Sequence, residues 1–203
     1  MKGQLIVFEG PDGVGKSTLI GQVEDYLRGR EIRFLSTSFP GKDPHTIGWI
    51  VNQVHHEPKR YDISNLTPLS LQALHIAAHL DNIESHILPE LAAGTLILLD
   101  RFWWSTWVYG RAANVNSKVL DTLIEAEKIA WAGNYPASVM LVSRGVAFRP
   151  EHTQQSFSRL ASLYLELAAT ESKRYPVIAV STEEMAHSLD MVLAALEPII
   201  GHW

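Results

Sequence analysis

Residues 10–17 read Gly-Pro-Asp-Gly-Val-Gly-Lys-Ser and match the pattern GxxxxGK[ST] in full. The run follows a short apolar segment that ends at Glu9, and a segment of helical period begins at Lys16. Gly10, Gly13 and Gly15 free the backbone to turn its N–H groups inward around an anion, and the helix N-terminus adds the positive end of its dipole. In that setting Lys16 reaches the β- and γ-phosphates of a nucleoside triphosphate as a point charge, and Ser17 ligates Mg²⁺ through its hydroxyl. Thr18, next along the helix, is grouped with the cofactor-binding residues. A turn that merely joins a strand to a helix accounts for one or two glycines, but not for Gly15-Lys16-Ser17 at this register. ATP and Mg²⁺ are therefore the expected cofactors.

Short runs rich in branched side chains at Gln4–Phe8, Ile32–Leu35, Thr95–Leu99, Ser138–Val142 and Val177–Val180 predict five buried parallel strands. Between and after them lie helical stretches at about 16–28, 44–56, 68–92, 116–132, 153–173 and 183–200. This alternation predicts an α/β P-loop NTPase fold, a parallel five-stranded sheet with helices on both faces. The 203 residues are expected to form one domain, 1–203, with loops at 41–44, 133–136 and 145–150. The net charge is −5 and the 17 lysines and arginines are scattered, which argues against a nucleic-acid polymer as partner. With no cysteine, disulfides, iron–sulfur clusters and thiolate zinc sites are excluded. No run approaches the ~20 apolar residues needed to span a bilayer, so no membrane partner and a cytoplasmic location are expected.

Ligands of such sheets bind beyond the carboxyl ends of the strands. The third predicted strand runs into Asp100-Arg101 there. An aspartate at that point can hold Mg²⁺ or its water, and an arginine can bridge the transferring phosphoryl group and its acceptor; an ordinary surface ion pair is the alternative.

Glu9 through Ser17, Asp100-Arg101-Phe102, Ser105-Thr106 and Tyr109 together resemble thymidylate kinases. Phe39-Pro40, Leu88 through Gly94, and Tyr164 through Ala168 extend the resemblance over most of the chain. It implies ATP-dependent phosphorylation of a nucleoside monophosphate, dTMP to dTDP, by a homodimer. It also implies that Asp12 sits near the sugar 3′-hydroxyl and metal waters, and that Arg101 contacts the acceptor phosphate. Tyr109 would pack where a 2′-hydroxyl would project, and Lys42 would add a phosphate contact. Glu9, Phe39 and Thr106 join the substrate-binding set, Asp100 and Ser17 the metal set.

The pattern departs from the family in three places. Counting back from Asp100, the family's base-stacking aromatic and base-binding arginine fall on His75 and His79, which lie on one helix face with Asn82 and His86. Histidine can stack and donate a hydrogen bond without the arginine fork; a metal pair at i, i+4 and a plain exposed face are the alternatives. After the fourth strand about one short helix is missing, leaving a short lid near 143–152 in which Arg144 and Arg149 are the candidate charge-stabilising arginines. Residue 110 is glycine where a small polar residue or glutamine is usual, and Trp103 and Trp107 would share one helix face, in the core or at a dimer contact. Two other readings stay open: a deoxynucleoside kinase, with Glu9 as base for a 5′-hydroxyl, and a non-catalytic ATP-binding module.

Overall fold

A computed structural model describes residues 2–145 and 153–201. Five parallel strands, β1 (Leu5–Glu9), β2 (Phe34–Ser38), β3 (Leu96–Asp100), β4 (Ser138–Ser143) and β5 (Val177–Ser181), form one sheet in the order β2-β3-β1-β4-β5. Chain order reverses about β1: the first crossover leads out to β2, and the return through β3 and β4 brackets β1 on both sides. The crevice at that switch point is where such sheets bind ligands.

Because side chains alternate across a strand, each central strand feeds two cores. Leu5, Val7, Ile97, Leu99, Val139 and Leu141 face one side. They pack there against α3 (Pro68–Asn82), α5 (Trp103–Ala112), α6 (Ser117–Ala130) and α7 (Gln154–Glu171). Ile6, Phe8, Leu96, Leu98, Met140 and Val142 face the other side, under α1 (Lys16–Gly29) and α8 (Met185–Ile200). The fold class and the five-strand count agree with the sequence expectation. Side-chain caps fix four helix starts: Thr46 before α2 (Ile47–His56), Thr67 before α3, Asn116 before α6 and Thr153 before α7 each accept a backbone N–H from the first turn.

Three departures from the expected elements bear on the site. β2 is displaced toward Ser38, because pairing with β3 continues to Ser38 opposite Asp100 and recruits polar residues that an apolar-run criterion leaves out. α5 escapes the periodicity criterion because it is buried nearly all round, from Trp103 to Gly110, and so shows no polar face. The predicted helix over 68–92 is interrupted: a π-helical turn (Ile83–Ile87) separates α3 from α4 (Leu88–Ala92). Pro89 lacks an N–H and crowds the carbonyl of the preceding turn, and the widened turn before it relieves that conflict. The extra residue takes His86 off the row of His75 and His79, leaving it exposed. Among the described residues no helix is long and apolar enough to cross a membrane.

Candidate active site

Between the C-terminal end of the sheet and helices α2 and α3 lies a cavity of 810 Å³. At one end it is lined by Gly13, Gly15, Lys16, Ser17 and Thr18. Gly10 enters the loop at φ 140°, and a Cβ there would lie 2.1 Å from the Val142 carbonyl oxygen, so only glycine lets the chain leave β1 past β4. Thr182 ties the loop down from the neighbouring strand, its hydroxyl donating to the carbonyls of Val14 (2.5 Å) and Ser143 (3.1 Å). Lys16 is nearly buried, and its Nζ donates to the carbonyls of Gly10 and Pro11, both at 2.8 Å. Burial first, then the neighbouring Arg101 charge, bring its ammonium pKa down to about 7, against the opposing pull of Asp100, Asp12 and Glu9.

The acidic and basic groups expected at the two strand ends do converge. Arg101 Nη2 donates to Asp12 Oδ1, and its Nη1 donates to Ser105 Oγ at 2.7 Å. Tyr109 donates its hydroxyl to Asp12 Oδ2 at 2.6 Å and accepts the Asp12 backbone N–H at 3.1 Å. The loop aspartate, the β3 arginine and the α5 tyrosine thus form one cluster on the cavity wall. Arg101 adopts φ 75°, a left-handed conformation that costs a non-glycine residue ~1 kcal/mol and turns its side chain out of the sheet end. The Asp100–Arg101 pair is therefore not a surface ion pair: the arginine bonds Asp12 instead.

Glu9 does not meet its expectation. It is fully buried and does not border the cavity. Its Oε1 accepts the backbone N–H groups of Phe102 (2.7 Å) and Ser105 (3.0 Å), while Oε2 accepts the Ser105 hydroxyl (2.7 Å) and the Gly10 N–H (3.3 Å). The carboxylate caps the first turn of α5 from a distant strand and cannot turn toward a substrate hydroxyl. Burial raises its pKa, an effect that Arg101 and the Ser105 hydrogen bond oppose. Glu9→Gln places an amide N–H against donors and is expected to cost ~2 kcal/mol, about a 5 °C fall in melting temperature, measurable by calorimetry.

Asp100 meets the chemical requirement for a hard cation. Its Oδ1 is buried and accepts no hydrogen bond among the described residues, and Ser17 lines the same cavity wall. An orphaned carboxylate oxygen on a residue that shares a cavity with the Ser17 hydroxyl and the phosphate cradle fits Mg²⁺, so Asp100 and Ser17 could hold it.

At the far end of the cavity stand Phe39, His75 and His79. His79 is buried, stacked on Phe39 with ring centroids 4.0 Å apart, and its Nδ1 lies 2.7 Å from Glu127 Oε2. His75 Nε2 lies 3.2 Å from His55 Nδ1. Burial, with the charges of His79 and His55 next, lowers the His75 pKa to about 2, so this ring is neutral at any working pH. One nitrogen of His79 is thus taken up by Glu127 and one of His75 by His55, and neither residue is fully exposed. Lys42, Thr106 and Arg144 also line the cavity, whereas Arg149 lies outside the described residues.

Sequence reasoning missed Ser105, His55, Gln72 and Glu127. Ser105 stood inside a quoted motif, but the others carry no local signal, since α2, α3 and α6 meet only in the fold. Gly110 has a packing cause: a Cβ there would lie 2.8 Å from Leu120 Cδ2 and 3.4 Å from Gln72 Cγ. α6 and the Gln72 side chain occupy the space a larger residue would need. Gln72 is almost buried, borders the cavity, and its amide makes no hydrogen bond among the described residues. Trp103 is in the core, and Trp107 is half-buried with its indole N–H donated to Asp121 at 3.1 Å.

The thymidylate kinase family model matches residues 8–189. The thymidylate kinase of Pelotomaculum thermopropionicum is 32% identical over 212 residues, covering 97% of this chain and 94% of the relative. That of Caulobacter vibrioides is 30% identical over 213 residues, covering 98% and 96%. Among solved structures, the Ehrlichia chaffeensis thymidylate kinase superposes with a TM-score of 0.77 over 97% of this chain and 100% of that one, at 18% identity, which shows the common fold. Cradle, Asp12–Arg101–Tyr109 cluster and matched length coincide, and the chain belongs to the thymidylate kinase family of ATP-dependent nucleoside monophosphate kinases.

Proposed function

We propose that the cavity transfers the γ-phosphoryl group of ATP to the phosphate of dTMP, giving dTDP and ADP. The observation that carries this reading is the Arg101 guanidinium, held by Asp12 and Ser105 between the phosphate cradle and the Phe39–His79 end of one continuous cavity. A cation there faces both the donor phosphate bound by Lys16 and an acceptor phosphate, with Lys42 beside it on the cavity wall. A phosphate acceptor oxygen is already ionised at neutral pH, so no general base is needed, in keeping with a Glu9 carboxylate wholly occupied by α5. Catalysis then rests on positioning and on charge neutralisation by Lys16, Arg101 and the cavity-lining Arg144, with Arg149 in the same short lid segment. Mg²⁺, when bound by Asp100 and Ser17, would neutralise charge on the phosphate oxygens. Tyr109, fixed by two hydrogen bonds to Asp12, supports a deoxyribose over a ribose. The exposed Ile47, Ile50 and Leu74 of α2 and α3 support a homodimer, which sedimentation tests.

An acceptor panel with ATP and Mg²⁺ decides the reading. The expected result is turnover of dTMP at least tenfold more efficient than of thymidine. Turnover of thymidine alone would establish the nucleoside kinase instead, and tight ATP binding with no acceptor turned over would establish the binding module.

A further inference from the structure

Two further cavities, of 580 and 250 Å³, share no lining residue with the active-site cavity. They have Trp103, Glu125, Lys128 and Glu171 in common, so they adjoin as one trough lined by α5, α6 and α7. No residue of α2 or α3 borders it. Four carboxylates do, Asp121 and Glu125 on α6 and Glu166 and Glu171 on α7, against two cations, Lys128 and Arg174.

Glu171 is the unusual member, being only 4% exposed. Its Oε2 accepts the Tyr175 hydroxyl at 3.0 Å, and Tyr175 accepts the Trp104 indole N–H at 3.1 Å. The nearest cation, Arg174 Nη1, stands 3.9 Å from that same oxygen on a side chain more than half exposed, so the pairing is weak. Oε1 makes no hydrogen bond among the described residues, yet it is not sealed from solvent. Protonation would not satisfy the group: one hydrogen, its own or that of Tyr175, would then lack an acceptor among the described residues. A carboxylate so withdrawn from water calls for a closer cationic donor than the chain supplies.

Lys128 shows that the trough accepts positive charge. Its Nζ lies 4.1 Å from the centroid of the Trp103 ring, within cation–π range, and forms no ion pair among the described residues. From Asp121 to Lys128 the α6 axis rises about 10 Å. Ile124 and Leu167 border the trough between the carboxylates. Carboxylates spaced along an apolar and aromatic surface match a chain that alternates ammonium groups with methylenes. A compact metal ion would make no use of the tryptophan.

We propose that this trough binds a linear aliphatic polyamine. One terminal ammonium donates to Glu171 Oε1, the methylenes lie along Trp103, Ile124 and Leu167, and a second ammonium sits among Asp121, Glu125 and Glu166. The ligand displaces Lys128 from the Trp103 ring, so the lysine is a tethered competitor for the site.

Titration calorimetry of the full chain without nucleotide, at physiological salt and with spermidine as the probe, tests the site. One spermidine should bind per chain with a dissociation constant of about 100 μM or tighter. Glu171→Gln keeps an amide oxygen for Tyr175 and should weaken binding about tenfold, whereas Lys128→Met should tighten it about threefold. Glu31→Gln, an exposed change of the same charge outside the trough, should leave the affinity unaltered. Absence of binding at millimolar spermidine overturns the proposal. So does an equal loss in Glu31→Gln and Glu171→Gln, which would mean diffuse attraction to an acidic surface. Should Glu171→Gln lower the melting temperature, Lys128→Met decides alone: tighter binding sustains the site, and unchanged or weaker binding refutes it.

Discussion

Lys16→Ala lowers kcat/KM for phosphoryl transfer by about a thousandfold, with the melting temperature nearly unchanged, as steady-state assays and calorimetry of the same preparation would show. The size follows from where the ammonium sits. It is almost withdrawn from water, so its interaction with a triphosphate is weakly screened. It donates to the carbonyls of Gly10 and Pro11, and a bound phosphate oxygen would offer it a charged acceptor instead. Stability is spared because removing the lysine also removes a desolvated charge, which offsets the loss of two hydrogen bonds. A variant retaining more than a tenth of the original kcat/KM would contradict the assigned role. The depressed pKa of about 7 has a further consequence of definite sign. At pH 7 a lysine with that pKa holds its proton about half the time, whereas bound triphosphate favours the charged form, so ATP binding should take up roughly half a proton. ATP affinity should fall as pH rises from 7 toward 9. Titration calorimetry in buffers of differing ionisation heat measures the uptake, and zero uptake at pH 7–8 would show that Lys16 is already fully charged.

Arg101→Ala should reduce kcat/KM a few hundredfold and act on more than one group. The guanidinium is the bridge between Asp12 on the loop and Ser105 at the start of α5, and Ser105 in turn bonds Glu9. Without it, Asp12 loses its guanidinium partner while keeping the Tyr109 hydrogen bond, and its negative charge is less compensated as phosphates approach. Both kcat and the acceptor KM should therefore worsen, unlike loss of a residue that only binds substrate. Arg101→Lys separates charge from geometry. A single ammonium cannot reach Ser105 Oγ and Asp12 Oδ1 from two fixed nitrogens, so it should recover no more than about a tenth of the lost activity. Full recovery by lysine would mean that charge alone suffices.

The donor half of the site was legible in the chain because its parts are local. Gly10 through Ser17 are contiguous, and the loop acts mainly through its own backbone, so a residue pattern in the right strand–helix context carries the geometry with it. Asp100 and Arg101 were legible for a related reason: a strand end in a parallel sheet has a known position relative to the ligand crevice. Glu9 shows the limit of that logic. It occupies the same kind of position at the end of β1, yet its carboxylate points into the first turn of α5, a helix that starts 94 residues later and lacks a cap of its own. α5 itself gave little periodic signal because nearly every side is buried.

The acceptor end was legible only in part. His75 and His79 fall on one helix face by spacing alone, but their chemistry depends on partners from other elements, His55 on α2 and Glu127 on α6. The sequence by itself determined the alternating strands and helices, the phosphate cradle and the presence of an arginine and three carboxylates, Glu9, Asp12 and Asp100, around it. These follow from hydrophobic period, glycine conformational freedom and local order along the chain. Tertiary structure alone decided which of those carboxylates face the cavity, and that a buried glutamate from α6 pairs with His79. The reason is physical: burial and charge pairing depend on which distant segments the packed sheet and helices bring into contact.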